Sequence, residues 1–311
     1  MERHKKRWLV ALLLACFGVT VYTSYALLFE DEALTPPSIL KHHKPQLEFH
    51  PIDADVQFID AYTRVILDSR EGSSHTLTVH VTSETSIPTT IRQDVALVYA
   101  NGVLADRVYG GEKETAFLSQ DMYIQGQGST RYDVITFHHA EIEKEDDSMT
   151  SQQTLSQDRV YLLSSAITSS SLFREAQTNT QNHWKRILDN AIEDNWSYQW
   201  QHLMEHFELD QRDYTVIPLY ELHEYTTQSF PGFDQDQTTL LLGLIWETLF
   251  ERYILEIHPD DHHKEQPQGS IMPIILVAND QTHVSILFRT AEGKEVQIEH
   301  PISFKNKTTE E

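Results

Sequence analysis

His202, Glu205 and His206 come nearest to a catalytic arrangement in this chain. In the run His202-Leu203-Met204-Glu205-His206 the two histidines are four residues apart, so on a helix they share a face and their imidazoles can converge on one zinc ion. A carboxylate beside such a pair can take a proton from metal-bound water. A second concentration of ligand types is His258-Pro259-Asp260-Asp261-His262-His263, where imidazole and carboxylate both suit divalent cations. Here His258 and His262 are the candidate ligands. Adjacent ligands on a loop seldom converge without further groups to orient them, so a solvated acidic loop is the leading reading. His138 and His139 are neighbours in a strand-like stretch, which sends one ring to each face.

What positions His202 is a helix. Trp184, Ile187, Leu188, Ala191, Ile192, Trp196, Trp200, Leu203 and Phe207 recur at three- and four-residue steps and form one apolar stripe. His202 and Glu205 fall on the opposite side, which places them toward solvent. The five-residue run resembles the H-x-x-E-H signature of inverted zinc metallopeptidases. The resemblance implies His202 and His206 as zinc ligands and Glu205 as general base, completed by a downstream carboxylate that nothing in the sequence marks. It covers those five residues alone. The expectation is therefore no catalytic residue and no cofactor, with a zinc-dependent hydrolase as the alternative.

Other searches point the same way. Gly126-Gln127-Gly128 lacks the strand-to-helix setting of a phosphate loop and reads as a turn. No G-x-S-x-G elbow occurs, and Ser164, Ser165 and Ser169 to Ser171 have no marked base. Trp184, Trp196, Trp200 and Trp246 can line a groove, but at helical spacing they read first as core.

The chain opens on a membrane signal. Arg3, Lys5, Lys6 and Arg7 precede an uncharged apolar run at 8–29, and Glu30, Asp31 and Glu32 follow it. About 20 apolar residues in a helix rise roughly 30 Å, enough to cross the hydrocarbon layer. Lys and Arg resist translocation, so residues 1–7 are expected in the cytosol and the body outside the cell membrane. A retained single-pass anchor is the leading reading. Cleavage after Ala26, suggested by Ser24-Tyr25-Ala26, and lipidation at Cys16, suggested by Leu13-Leu14-Ala15-Cys16, are the alternatives. Cys16 is the only cysteine, so an exported body must hold itself together by its core, which fits bacterial-type export better than a disulfide-stapled module. The formal charge of −23 disfavours nucleic acid and anionic lipid as partners of the body.

Behind the anchor, 30–55 is acidic and proline-punctuated and reads as an extended spacer. Residues 56–143 read as mainly antiparallel β. Thr76 to Thr82 alternate strictly, and Asn101-Gly102 is the strongest hairpin signal in the chain. A second hairpin is expected across Gly126 to Ser129. Residues 144–159 are polar and read as a linker. Residues 160–304 are expected to hold the helix above, then a second helix through Leu242, Ile245, Trp246, Leu249, Tyr253 and Ile257 capped by Thr238 or Thr239. A three-strand meander over 271–302 follows, with 305–311 as a polar tail. The fold class is α+β: a transmembrane helix, then antiparallel hairpins, a helical middle and a C-terminal meander.

Topology together with the lack of an assembled catalytic group leads to a non-enzymatic accessory or regulatory protein of the cell envelope, acting on another membrane or envelope protein. An envelope ligand or pH sensor that uses the many His and carboxylates is a further alternative.

Overall fold

Asn101-Gly102 reverses the chain with φ of 50° and 81°, the left-handed values of a type I′ turn. The strands it joins run far beyond the stretch that the sequence marks. β2 (Ser74–Ala100) and β3 (Val103–Gln127) pair antiparallel over most of their lengths. Their ribbon bends midway. The register shifts between Glu84 and Thr89 and again before Ile91, Pro88 sits exposed in that corner, and Glu114 opposite takes a φ of 53°. Proline cannot donate to the ladder, so a corner is where a strand tolerates it.

The computed structural model describes residues 52–53, 55–144, 146–164, 172–254, 270–290 and 293–302. The anchor 8–29, the spacer before residue 52, and His258 and His262 lie outside the described residues. Among the described residues no helix is long and apolar enough to cross a membrane.

Each half of the bent ribbon belongs to its own layer. In the outer layer β1 (Phe58–Glu71) pairs with the first half of β2, and the second half of β3 lies on β2's other edge. In the inner layer the second half of β2 pairs with β4 (Thr130–Glu143), followed by β5 (Met149–Leu162) and the short β6 (Leu172–Phe173). Val65, Leu77, Val79, Val81, Val98, Tyr132, Val134 and Val160 fill the space between the layers. β4 has both faces covered, and every residue of it except Glu143 is buried.

Three expectations are corrected here. Residues 149–162 are not a linker but the strand β5, paired with β4 along its whole length. Its Ser, Thr and Gln side chains look like a loop because several of the groups that satisfy them lie more than 60 residues away in sequence. Ser156 bonds Thr63, and Gln152 donates to the carbonyls of Asp53 and Val56. Second, β3 and β4 do not form a hairpin. The turn at Gly128-Ser129 carries the chain from one layer to the other, and both strands pair with β2 instead. Third, the expected spacer ends earlier than residue 55: Ile52 bridges Ser151, and buried Asp53 is bound by Lys144 and Thr150.

On the far face of the inner layer lie two helices and a second sheet. α1 (Asn179–His206) starts at a capping box in which Thr178 accepts from the amide of Gln181 and the Gln181 side chain reaches back. α2 (Gln235–Leu249) is capped the same way by Asp234 and Gln237, not by Thr238 or Thr239. Thr238 is buried, and its hydroxyl oxygen accepts the amide of Phe230 instead of a helix N–H. A π-type turn at Phe250–Ile254 follows α2.

The C-terminal meander is present as β8 (Ile274–Ala278), β9 (His283–Arg289) and β10 (Glu295–Pro301). A strand that the sequence did not mark, β7 (Tyr214–Pro218), adds to β8 and makes the sheet four-stranded. The main core joins Leu97, Ile135 and Phe137 of the inner layer to Leu241, Ile245 and Trp246 of α2 and to Val284, Ile286 and Phe288 of β9. The described fold is a mixed α+β body built on antiparallel sheets.

Candidate functional site

α1 is long but shallowly seated. Its buried residues are Ile192, Trp196, Leu203 and Met204, while Trp184 and Ile187, expected in the core, are 37% and 42% exposed. His202, Glu205 and His206 all point to solvent. Glu205 accepts a hydrogen bond from Gln201 at 2.7 Å, and the His206 ring stands edge-on to Phe207. The described residues hold no group of three or more His, Cys, Asp or Glu able to bind a metal ion. His139 and His138 face opposite sides of β4 as expected. His139 lies 3.7 Å from Glu141, and His138 turns toward the outer layer.

What fastens α1 is a charged cluster on β4 and β5. Buried Arg131 donates from Nε to Asp133 and from Nη1 to Asp189 of α1, both at 2.9 Å, and its guanidinium lies over the Trp196 ring. Asp133 also pairs with Arg159, and Asp189 receives Tyr161 Oη at 2.8 Å and Lys185 Nζ at 2.6 Å. Burial acts to raise the Asp189 pKa, but the bonds from Lys185 and Tyr161 and the charge of Arg131 hold it below the usual carboxylate value. Trp196 Nε1 donates to the carbonyl of Gly102 at 2.9 Å. A Cβ at Gly102 would come within 2.7 Å of that nitrogen, so the hairpin tip and α1 need glycine there twice over, for φ and for space.

Between the layers runs a polar seam. His138 bonds Ser83 through Nδ1 at 2.7 Å and Ser156 through Nε2 at 2.6 Å, and Thr63 reaches both Thr136 and Ser156. Burial lowers the His138 pKa to about 3, so the ring is neutral at ordinary pH. Among the described residues β1's second edge pairs with no strand; it lies against β5 through side chains. Asp158 accepts the amide of Val65 at 2.7 Å and Arg174 donates to its carbonyl at 2.9 Å, two side chains standing in for a neighbouring backbone.

Among the described residues two surfaces stand out. One is the outer face of β1, β2 and β3. Register places Ile66, Thr78 and Tyr123 in one row and Arg64, His80 and Asp121 in the next; Tyr62, Thr82 and Ser119 follow, then Glu84 and Phe117. Tyr123 is 68% exposed and Phe117 53%, with Tyr62 and Ile66 also open. At the centre His80 Nδ1 meets Asp121 Oδ1 at 2.5 Å, and the ring tilts against Tyr62. The other is a cleft of about 240 Å³ between β4, β5 and α2. Its walls include Phe137, Leu155, Leu242 and Trp246, with Gln153 and Thr239 as polar neighbours. Trp246 stacks on Phe137 with ring centroids 3.9 Å apart.

No protein-family model, curated protein or solved structure matches the chain.

Neither surface was marked in sequence as a whole; of the groove tryptophans only Trp246 lines the cleft. Tyr62, Ile66, Phe117 and Tyr123 sit among alternating residues that do not say which face is covered, and Gln153 sits in the segment that reads as a linker. One local signal did exist. Tyr62-Arg64-Ile66 keeps large side chains at every second position opposite Thr63 and Val65, a strand with bulk on both faces.

Proposed function

We propose that this is a non-enzymatic accessory or regulatory protein, anchored through residues 8–29, whose body acts outside the cell membrane by contacting another envelope protein. The supporting observation is the outer face of β1, β2 and β3, where Tyr62, Ile66, Phe117 and Tyr123 are exposed around the His80–Asp121 pair. Large solvent-facing aromatics on an ordered sheet carry a hydration cost that a partner removes, and Tyr, Phe and Arg are types that interfaces favour. The strand backbones under them are paired, so the face is rigid and loses little conformational freedom on docking. A hydrolytic role would need His202 and His206 to receive a further ligand from outside the described residues.

The test is site-specific photo-cross-linking of the full-length chain in its native membrane. A photoreactive residue at Tyr123 is compared with one at Tyr198, which is equally exposed but lies on α1. One discrete adduct at 123, missing at 198 and lost when Ile66→Ser and Phe117→Ser are introduced, supports the reading. Identical adducts at both sites, or none at 123, would remove it.

A further inference from the structure

The outer layer has two edges, and the fold treats them differently. β1's far edge is engaged: Val65 gives its amide to Asp158 and takes a bond from Arg174 on its carbonyl. The far edge of β3 has no such cover. Among the described residues β3 pairs only with β2, and no other strand or helix runs beside its second half. A groove of about 560 Å³ opens next to Tyr123 and Gln125.

Along a strand, successive residues aim their N–H and C=O at opposite edges. Val65 aims away from β2, so its partner Val79 aims toward β3, where it meets Met122. Counting in steps from Met122, the backbones of Phe117, Ser119, Asp121 and Tyr123 face away from β2. Thr115 bears out the count: its Oγ1 accepts the Phe117 amide at 3.1 Å and donates to the Phe117 carbonyl at 2.8 Å. A side chain of the same strand stands there in place of a neighbouring backbone.

Sheet edges are ordinarily blunted by Lys, Pro or a bulge. From Phe117 to Gln127 β3 has none of these. It pairs with β2 in one unbroken register, and Asp121 is the only charge in the stretch, within a chain of formal charge −23.

The same stretch complements itself. Two copies set antiparallel about Gln120 place Phe117 opposite Tyr123 and Ser119 opposite Asp121, with Leu118 opposite Met122 on the inner side. Each outward-aimed backbone then meets another, the kind of pair that exchanges both N–H···O bonds. Aromatic faces aromatic, and a hydroxyl donor faces the carboxylate. Other registers are worse. A slip of one residue sets outward-aimed backbones against inward-aimed ones. A slip of two puts either Asp121 on Asp121 or Phe117 on Asp121.

We propose that the free edge of β3 pairs with the same edge of a second copy, about a two-fold axis at Gln120, and joins the outer layers of the two into one sheet. A two-fold pairing uses this one edge on both copies and closes there. The inference does not rest on the aromatic face described above, which stays open to solvent and is widened by the pairing.

The test uses the full chain in liposomes, with Cys16→Ser removing the only cysteine. Copies carrying Phe117→Cys and differently tagged copies carrying Tyr123→Cys are reconstituted together and mildly oxidised. A disulfide between the two tags is expected, and the other Phe117–Tyr123 pair of the dimer stays intact. Either variant alone should give none, because the same residue of the two copies lies about 20 Å apart along the strands. Ser119→Pro should abolish the link, since it removes an N–H that β2 does not use and leaves the β2–β3 ladder whole. Ser119→Lys serves the same purpose if urea melts show that the proline variant does not fold. The proposal is overturned if the mixed copies link no better than either variant alone, as they would were another segment or another protein seated on the edge. It is equally overturned by a link that survives blocking of the edge. An adduct at Tyr123 that contains peptides of this chain alone counts for the dimer and not for an envelope partner, so the two readings fail separately.

Discussion

α1 and α2 are both long enough to stand out in the sequence, and the fold uses them in opposite ways. α1, the longer, carries the suggestive histidines and touches the body through few apolar residues, its middle fastened by Trp196 and the Arg131–Asp189 pair. α2 is about half as long, yet Leu241, Leu242, Ile245, Trp246 and Leu249 are all buried between the inner layer and β9. A catalytic-looking spacing therefore sits on the helix with the least enclosure. Enclosure, a precondition for strong electrostatics and for binding small molecules, lies beside the helix with no motif at all.

The comparison can be broken from its strong end first. Trp246→Ala should cost about 3–5 kcal/mol, because it opens a cavity against Phe137 that the surrounding sheet cannot close, and the urea midpoint reads the loss. Were the cost under about 1 kcal/mol, α2 would not be the seat of the core. Asp189→Ala tests the other helix. It leaves buried Arg131 with one carboxylate partner in place of two and should cost about 3 kcal/mol, whereas a combined Asp189→Leu and Arg131→Met change should recover much of that.

A third test uses pH. The His138 pKa is pushed down to about 3, so the folded chain refuses a proton that the unfolded chain accepts below its ordinary value near 6.5. Burial lowers the pKa of His75 and His300 as well, with the same sign. Stability should be flat above that value and fall as pH drops from about 6.5 toward 3, by up to about 1.4 kcal/mol per pH unit for His138. His138→Gln, which can still bond Ser83 and Ser156, should flatten that slope in pH-dependent urea melts.

Smaller effects sharpen the contrast. Asp234→Ala removes the N-cap of α2 and should cost about 1 kcal/mol, readable in the same melts. His202→Ala and Glu205→Ala, both exposed, should each change stability by less than about 0.5 kcal/mol and leave the zinc content of the purified chain unchanged. Stoichiometric zinc that disappears with His202→Ala would revive the hydrolase.

What the sequence determined by itself was local. The Asn101-Gly102 turn, the β8–β9–β10 meander and the opposed rings of His138 and His139 follow from turn chemistry and from a periodicity of two, which act within a few residues. Tertiary structure decided everything that depends on distant partners. Residues 149–162 become a half-buried strand because Thr63, Val65 and Asp53 arrive to accept or supply their hydrogen bonds. The β2–β3 ribbon becomes two layers because its halves share one core, and the stripe of α1 ends in solvent at Trp184 because no described element covers it. Binary patterning says that a face is apolar. Which side chains meet it, and whether the space between them closes, is settled only when segments more than a hundred residues apart pack together.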